Sequence, residues 1–229
     1  MHPLKNTVAG YWRTLAAIML GICFSEPTDA AAFDHQAPQQ GPWFVRTGPL
    51  WVAYQSSADI NLMGQSLAGA SARARNNVTF MIDLGYEVTD TFTVLVMGGI
   101  PPRTVVQGAG SVEGLGNFGA VRYGPLFLTG VYYLPAWQGV RPYIGAGLAH
   151  AFIFKNYDGA VSGLDVQGNT GPVVQMGVEY PWNERWSIFA DYKHLWLELD
   201  AHGTLGPAPV KAKITLDPDL LSMGVKFHF

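Results

Sequence analysis

The stretch Asn77 to Val88, NVTFMIDLGYEV, decides the fold class because its apolar residues recur at every second position. A period of two indicates a β-strand, whereas a helix would repeat near 3.6. One face is apolar throughout, and the other carries Asp83, Gly85 and Glu87. The length of the apolar face is close to the roughly ten residues that a tilted transmembrane strand needs. A soluble protein would bury this face, whereas a membrane barrel would turn it toward lipid, so the rest of the chain must decide.

The same alternation recurs along the chain and predicts eight strands. Besides 77–88, the strands are predicted at 43–54, 91–97, 123–134, 141–154, 171–180, 186–193 and 221–229. The connections between them alternate in length, with short ones at 89–90, 135–140 and 181–185. The long ones are 55–76, 101–121, 155–170 and 198–218. Two segments within them are expected to be flexible: 56–76, which is rich in Ala, Gly and Ser, and 203–213, which is rich in Gly, Pro and Ala.

This sorting of connections predicts an all-β fold: an eight-stranded antiparallel transmembrane β-barrel with short periplasmic turns and longer extracellular loops. A closed, even-numbered sheet pairs every backbone N–H and C=O inside hydrocarbon, which an open sheet cannot do. Both termini would then be periplasmic in a bacterial outer membrane. Aromatic residues near the short turns are expected to form a belt at the lipid headgroups, the alternative being ordinary packing beside turns. They are Tyr86, Tyr132, Tyr133, Trp137, Tyr180, Trp182 and Trp186.

The first 32 residues are predicted to be a cleaved signal peptide, leaving 33–229 as the barrel. Lys5 and Arg13 precede or flank the short apolar run Leu15 to Phe24, and Ala30 to Ala32 offers small residues for cleavage. The single cysteine, Cys23, lies in this leader, so the mature chain would have neither a disulfide nor a thiol nucleophile. A formal net charge of −3 gives no basic footprint for nucleic acid.

Several motifs in order along the chain resemble the OmpW family of small outer-membrane barrels. They are Val45-Arg46-Thr47-Gly48, Gly98-Gly99-Ile100-Pro101, the segment 141–147 (RPYIGAG), the segment 175–180 (QMGVEY), and Leu216-Asp217-Pro218 before a last strand that ends at Phe229. The resemblance implies a narrow barrel with a hydrophobic path, associated with passage of small apolar compounds across the outer membrane. It places an apolar constriction at Met97, and it puts Thr170 where the family often has tryptophan. It also implies that Phe229 is a signal for the outer-membrane assembly machinery.

Strand parity predicts a lumen that is polar at the short-turn end and apolar at the other. The predicted polar plug is Arg46, Asp83, Glu87, Arg141, Glu179 and Lys226, with charges that must pair to be tolerated away from water. The predicted apolar path is Leu95, Met97, Ile153, Phe189, Leu195 and Leu197. An eight-stranded barrel has room only for its own side chains or for one small ligand, so a water-filled pore is not expected.

These features predict a non-enzymatic barrel that gives small hydrophobic molecules a path into or across the outer membrane, with outer-membrane lipid as its other partner. Two alternatives remain: an inert structural or adhesive barrel with functional loops, and an enzyme that modifies lipid A. The nearest catalytic constellation is Asp191, His194 and His202, without the His-x-Ser spacing of barrel deacylases. The histidines are too scattered for a metal site, and no cofactor is expected.

Overall fold

The computed structural model describes residues 41–229, which are almost entirely β-strand. The predicted signal peptide lies outside the described residues, so its cleavage stays a prediction. No helix among residues 41–229 has the length and apolar character needed to cross a membrane. The strands are β1 Trp43–Tyr54, β2 Ser57–Leu62, β3 Gln65–Ser66, β4 Ala70–Ala74, β5 Asn77–Glu87, β6 Phe92–Gly99, β7 Arg103–Gly110, β8 Asn117–Tyr133, β9 Arg141–Asp158, β10 Ser162–Gln167, β11 Thr170–Pro181, β12 Trp186–Leu195, β13 Glu198–Leu205, β14 Ala208–Thr215 and β15 Pro218–His228, with one 3₁₀ turn at Glu113–Leu115.

Eight of these strands close into an antiparallel barrel, which confirms the predicted fold class. Their order around the wall is β1, β5, β6, β8, β9, β11, β12 and β15, and β15 pairs again with β1. The closing ladder runs from Phe44 opposite His228 to Tyr54 opposite Pro218. Because the sheet has no free edge at this level, its backbone can lie in hydrocarbon without unpaired groups.

The outer surface of the barrel is apolar and its interior holds charge, the reverse of a soluble protein. On β5, the side chains of Val78, Phe80, Ile82 and Leu84 are 43–65% exposed, whereas Asp83 is fully buried. This answers the question that the alternation left open, since such a surface is stable only against acyl chains. The aromatic belt is also present, with one exception: Tyr133 is 4% exposed and points into the lumen, because odd-numbered positions of β8 face inward there.

The four long connections consist largely of strands, so the prediction that segments 56–76 and 203–213 are flexible was wrong. They contain β2, β3, β4, β7, β10, β13 and β14, which carry the wall beyond the barrel. These strands form two sets. In the first set, β4 pairs with β7, and β7 pairs with the start of β8. The second set is a five-stranded sheet in the order β10, β13, β14, β2, β3. The alternation was hard to recognise because small residues such as Ala58, Ala72 and Ala201 occupy buried inward positions. We call this the hairpin end, and the opposite end, with turns at 88–91, 134–140 and 182–185, the short-turn end.

Candidate functional site: the barrel lumen

The deepest polar group in the lumen is centred on Arg46, which is fully buried. Its Nε donates to Asp83 Oδ2 at 2.7 Å, and its Nη1 donates to the Tyr143 hydroxyl at 3.0 Å. Tyr143 in turn donates to Asp191 Oδ2 at 2.7 Å, and Asp191 also forms an ion pair with Lys193. The guanidinium carbon lies 4.7 Å from the centre of the Phe189 ring, so Arg46 is also packed from the apolar side.

A second group, nearer the short turns, is centred on Lys226. Its Nζ lies 3.1 Å from Glu179 Oε1 and 3.0 Å from Glu87 Oε1, and Tyr133 donates to Glu179 at 2.7 Å. His228 Nε2 hydrogen-bonds Glu87 Oε1 at 2.9 Å. The Lys226 ammonium also lies 3.9 Å from the centre of the Phe44 ring.

Together these two groups form what we call the polar plug. It sets three cations and one histidine against four carboxylates, so its charge nearly cancels. Its members are Arg46, Asp83, Glu87, Glu179, Asp191, Lys193, Lys226 and His228. Buried charges are tolerated only when paired and hydrogen-bonded, and breaking one such pair is costly because its partner stays buried. The plug therefore fills the short-turn half of the lumen with side chains that are joined by ion pairs and hydrogen bonds.

The composition of the plug differs from the six predicted residues at four positions. His228, which shares the inward phase of Lys226, joins the plug through Glu87. Arg141 lies outside it: at the first position of β9, it stacks 4.5 Å from the Tyr133 ring centre and donates to the Asp90 carbonyl at 2.9 Å. Asp191 and Lys193 belong to it, although the prediction omitted them. The sequence could have identified both residues, because they follow Phe189 at every second position of β12 and therefore face inward with it.

Above the plug, the lumen becomes largely apolar, and its main polar groups are the hydroxyls of Tyr54, Tyr123 and Thr104, which hydrogen-bond one another. Met97, Leu195 and Leu197 are buried in one cluster that continues into the strands of the hairpin end, and Ile153 packs against it. Phe189, also predicted for the path, belongs to the same cluster but lies at the level of the plug, opposite Glu179 and on the short-turn side of Asp191 and Lys193. Leu95 is a correction to the predicted path. It lies opposite Gly85, in a separate cluster with Phe44, Val131, Tyr133 and Tyr143, at the level of the plug. The alternation along the strand correctly predicted that Leu95 faces inward, but it did not predict its height along the barrel axis.

Backbone pairing between β6 and its neighbour is interrupted on one side of the barrel. The β6–β8 ladder ends at Met97 opposite Phe127, and the β7–β8 ladder begins at Arg103 opposite Arg122. Three of the residues between them, Pro101, Pro102 and Pro125, have no N–H to donate. We call this break, residues 98–102 facing 123–126, the lateral gap. A cavity of about 40 Å³ lies between Met97 and Leu195 inside and Gly98, Pro102 and Gly124 at the gap.

A second cavity, of about 70 Å³, lies higher, inside the hairpin end. Its lining is almost wholly apolar and includes Ile60, Ala72, Val121, Val166 and Ala201. An apolar cavity of this kind suits an apolar guest, because its lining offers water few hydrogen-bond partners. The two cavities share the surrounding apolar cluster, since Tyr123, Val121 and Leu195 all belong to it.

The residues considered for catalysis are not brought together. Asp191 is held by Lys193 inside the lumen, whereas His194 Nδ1 lies 2.8 Å from Asp219 Oδ1 at the opposite face of β12. His202 lies on β13 in the hairpin end. Within residues 41–229, no three His, Cys, Asp or Glu side chains are grouped to hold a metal ion. Thr170 is exposed and its hydroxyl lies 2.8 Å from His150 Nδ1, so its side chain does not line the lumen.

Comparisons of the sequence and of the structure with known proteins identify the same kind of relative, small outer-membrane barrels. Residues 39–229 match the model of the OmpW family. PahQ of Pseudomonas aeruginosa, a dibenzothiophene metabolism operon protein, is 36% identical over 217 residues, covering 95% of this chain and 99% of PahQ. The solid-state NMR structure of outer membrane protein AlkL in lipid bilayers is 30% identical, with a TM-score of 0.68 over 90% of this chain and 96% of AlkL. The crystal structure of OprG from Pseudomonas aeruginosa shares the fold, with a TM-score of 0.76 at 20% identity over 83% of this chain and 97% of OprG.

Proposed function

Because the chain belongs to the OmpW family of outer-membrane barrels, we propose that it carries small apolar molecules into the outer membrane through the apolar half of its lumen. The observation that carries this proposal is the continuous buried apolar cluster above a closed polar plug. A path of this kind favours molecules that need no hydrogen bonds, and it excludes ions, whose desolvation in an apolar lumen costs several kcal/mol or more.

The hairpin end faces outward in this proposal, and the short turns and both termini face the periplasm. This orientation follows the general pattern of bacterial outer-membrane barrels, in which the long connections are extracellular. The strands of the hairpin end would then bring the upper cavity into contact with the outside medium, above the lipid headgroups.

We propose that the transported molecule leaves the lumen laterally, through the barrel wall into the membrane. A molecule enters the upper cavity and moves along the apolar cluster past Met97 and Leu195. It leaves through the lateral gap into the acyl chains, because the polar plug blocks the straight way down. The interrupted ladder and the three prolines support this exit, since no interstrand hydrogen bond has to break there.

The relatives indicate an apolar, partly aromatic cargo. PahQ is named for an operon of dibenzothiophene metabolism, and dibenzothiophene is a flat aromatic molecule without charge. The lining of the upper cavity has the matching chemistry, with aliphatic side chains and Phe118.

A disulfide across the lateral gap tests the route. A Cβ placed on Gly124 would lie 3.4 Å from the Pro101 Cβ, close to the range in which disulfides form. The double variant Pro101→Cys/Gly124→Cys should therefore cross-link under oxidation, and Cys23, in the predicted leader, is the only natural cysteine. Uptake of an apolar dye by cells should fall about tenfold or more in the oxidised form, since the exit is then covalently closed.

Reduction with dithiothreitol should restore uptake, which separates closure of the gap from misfolding. Each single cysteine variant should keep its uptake under both conditions. Undiminished uptake by fully cross-linked protein would rule out the lateral exit.

Assembly through the terminal aromatic residue is a second part of the proposal. Phe229 is 56% exposed, and its backbone N–H donates to the Trp43 carbonyl, so its ring is available to another protein. The variant Phe229→Ser should reach the outer membrane in reduced amount while refolding normally from urea into detergent. An unchanged membrane level, measured by blotting of the fractionated envelope, would contradict a role as an assembly signal.

A further inference from the structure

Three cations stand side by side on the outer surface of the wall, at the hairpin end. Arg103 of β7 lies directly opposite Arg122 of β8, and Arg122 lies directly opposite Lys155 of β9. All three side chains are exposed. We call these residues the basic row.

A β-bulge completes the row. Tyr123 pairs with Ile153, but the next residue, Arg122, pairs with Lys155, so Phe154 is an extra residue on β9. Such a bulge changes the phase of the strand. Below it, even-numbered residues of β9 such as Phe152 face outward; above it, Lys155 does. Without the bulge, Lys155 would point inward and the row would contain two cations only.

The row is unfavourable for the protein alone. Like charges placed directly opposite each other in a sheet repel and destabilise the pairing. Among the described residues, none of the three cations forms an ion pair with a carboxylate. Their nearby support is the Tyr157 ring, whose centre lies 4.4 Å from the Arg103 guanidinium carbon and 5.1 Å from Lys155 Nζ. A bound anion would remove the repulsion.

The position of the row indicates what kind of anion it meets. The exposed apolar side chains of Ile100, Leu126, Phe152 and Phe154 lie directly below it on the same three-strand surface. The row therefore stands at the border between the apolar band and the water-facing wall. In a bilayer, lipid phosphates occupy this level, and guanidinium groups bind phosphate through paired charge-assisted hydrogen bonds.

We propose that the basic row binds the phosphorylated headgroup of a glycolipid of the outer leaflet, such as lipid A, while its acyl chains lie on the apolar side chains below. This site rests on the outward orientation of the hairpin end given above. It also adjoins the lateral gap, because Pro102 precedes Arg103 and Tyr123 follows Arg122. A bound glycolipid would thus stand at the exit of the proposed route.

The test measures binding of lipid A to the full-length processed protein in detergent micelles, by native mass spectrometry and titration. The triple variant Arg103→Gln/Arg122→Gln/Lys155→Gln should bind diphosphorylated lipid A about tenfold more weakly or worse, since it removes every charge-assisted contact to phosphate. The matched control is Arg185→Gln/Lys211→Gln/Lys213→Gln, which removes three exposed cations elsewhere and should bind like the unchanged protein. Heat-modified migration on gels verifies that each variant is folded.

Three outcomes would overturn the proposal. Equal weakening in the control would mean that only net charge matters. Undiminished binding of dephosphorylated lipid A would mean that the acyl chains alone are recognised. Displacement of lipid A by an equal concentration of inorganic phosphate would mean a site for free phosphate. The disulfide experiment measures uptake and not lipid A binding, so failure of the route and failure of this site are separable.

Discussion

The two halves of the lumen are built on the same strands but have opposite chemistry. On β12, the inward positions pass from Asp191 and Lys193 in the polar plug to Leu195 in the apolar cluster within one pleat. The plug is held by ion pairs and hydrogen bonds between specific partners, whereas the upper half is held mainly by apolar packing. A narrow barrel can therefore be closed to solutes at one end and offer an apolar binding cavity at the other, while the strands of its wall stay the same.

The largest effect is expected from breaking the plug at its centre. Arg46→Met leaves Asp83 buried without its cation, and loss of one partner of a buried pair costs about 3–5 kcal/mol. The free energy of unfolding, from urea titration of tryptophan fluorescence in lipid vesicles, should fall by that amount. Arg185→Met, at an exposed turn, serves as the control and should be neutral. A loss below about 1 kcal/mol, as for exposed ion pairs, would mean that the plug is hydrated and loosely held.

A smaller effect is expected when charge is extended into the apolar half. Leu195→Lys places a cation beside Lys193, facing the cavity that leads to the lateral gap. Uptake of an apolar dye by cells should fall about tenfold, because the cation attracts water and removes apolar surface from the path. Leu195→Met keeps the path apolar and should retain uptake. Normal uptake by folded Leu195→Lys protein would show that the molecules do not pass this point.

The smallest effect is expected from narrowing the upper cavity without changing its polarity. Ala201 is buried and lines that cavity, so Ala201→Phe should cost about 1–3 kcal/mol of stability through overpacking. Uptake of a three-ring aromatic dye should fall more than uptake of a one-ring compound. Equal effects on both compounds would mean that the cavity does not select by size.

The sequence predicted the barrel well because parity is a local property. The alternation in β5 is enough to assign faces, and the lengths of the connections are enough to choose a membrane barrel over a soluble sandwich. The hairpin end was not predicted, since alanine at positions such as Ala58 and Ala72 leaves little contrast between the two faces.

Depth in the lumen was predicted less well than face. Leu95 and Arg141 were assigned to the wrong neighbours, because the height of a residue depends on the register with the next strand, which parity does not give. The basic row shows the same limit. Arg103, Arg122 and Lys155 are far apart in the chain, and only two registers and a bulge bring them together.

The most direct test of the central claim compares two solutes in the same cells, which express either this protein or an empty vector. One is a naphthylamine dye that fluoresces on entering lipid, and the other is a charged chromogenic β-lactam hydrolysed by a periplasmic β-lactamase. An apolar path above a closed plug predicts that the protein accelerates entry of the dye and leaves β-lactam hydrolysis at the vector rate. Faster hydrolysis of the β-lactam, or no acceleration of the dye, would contradict it.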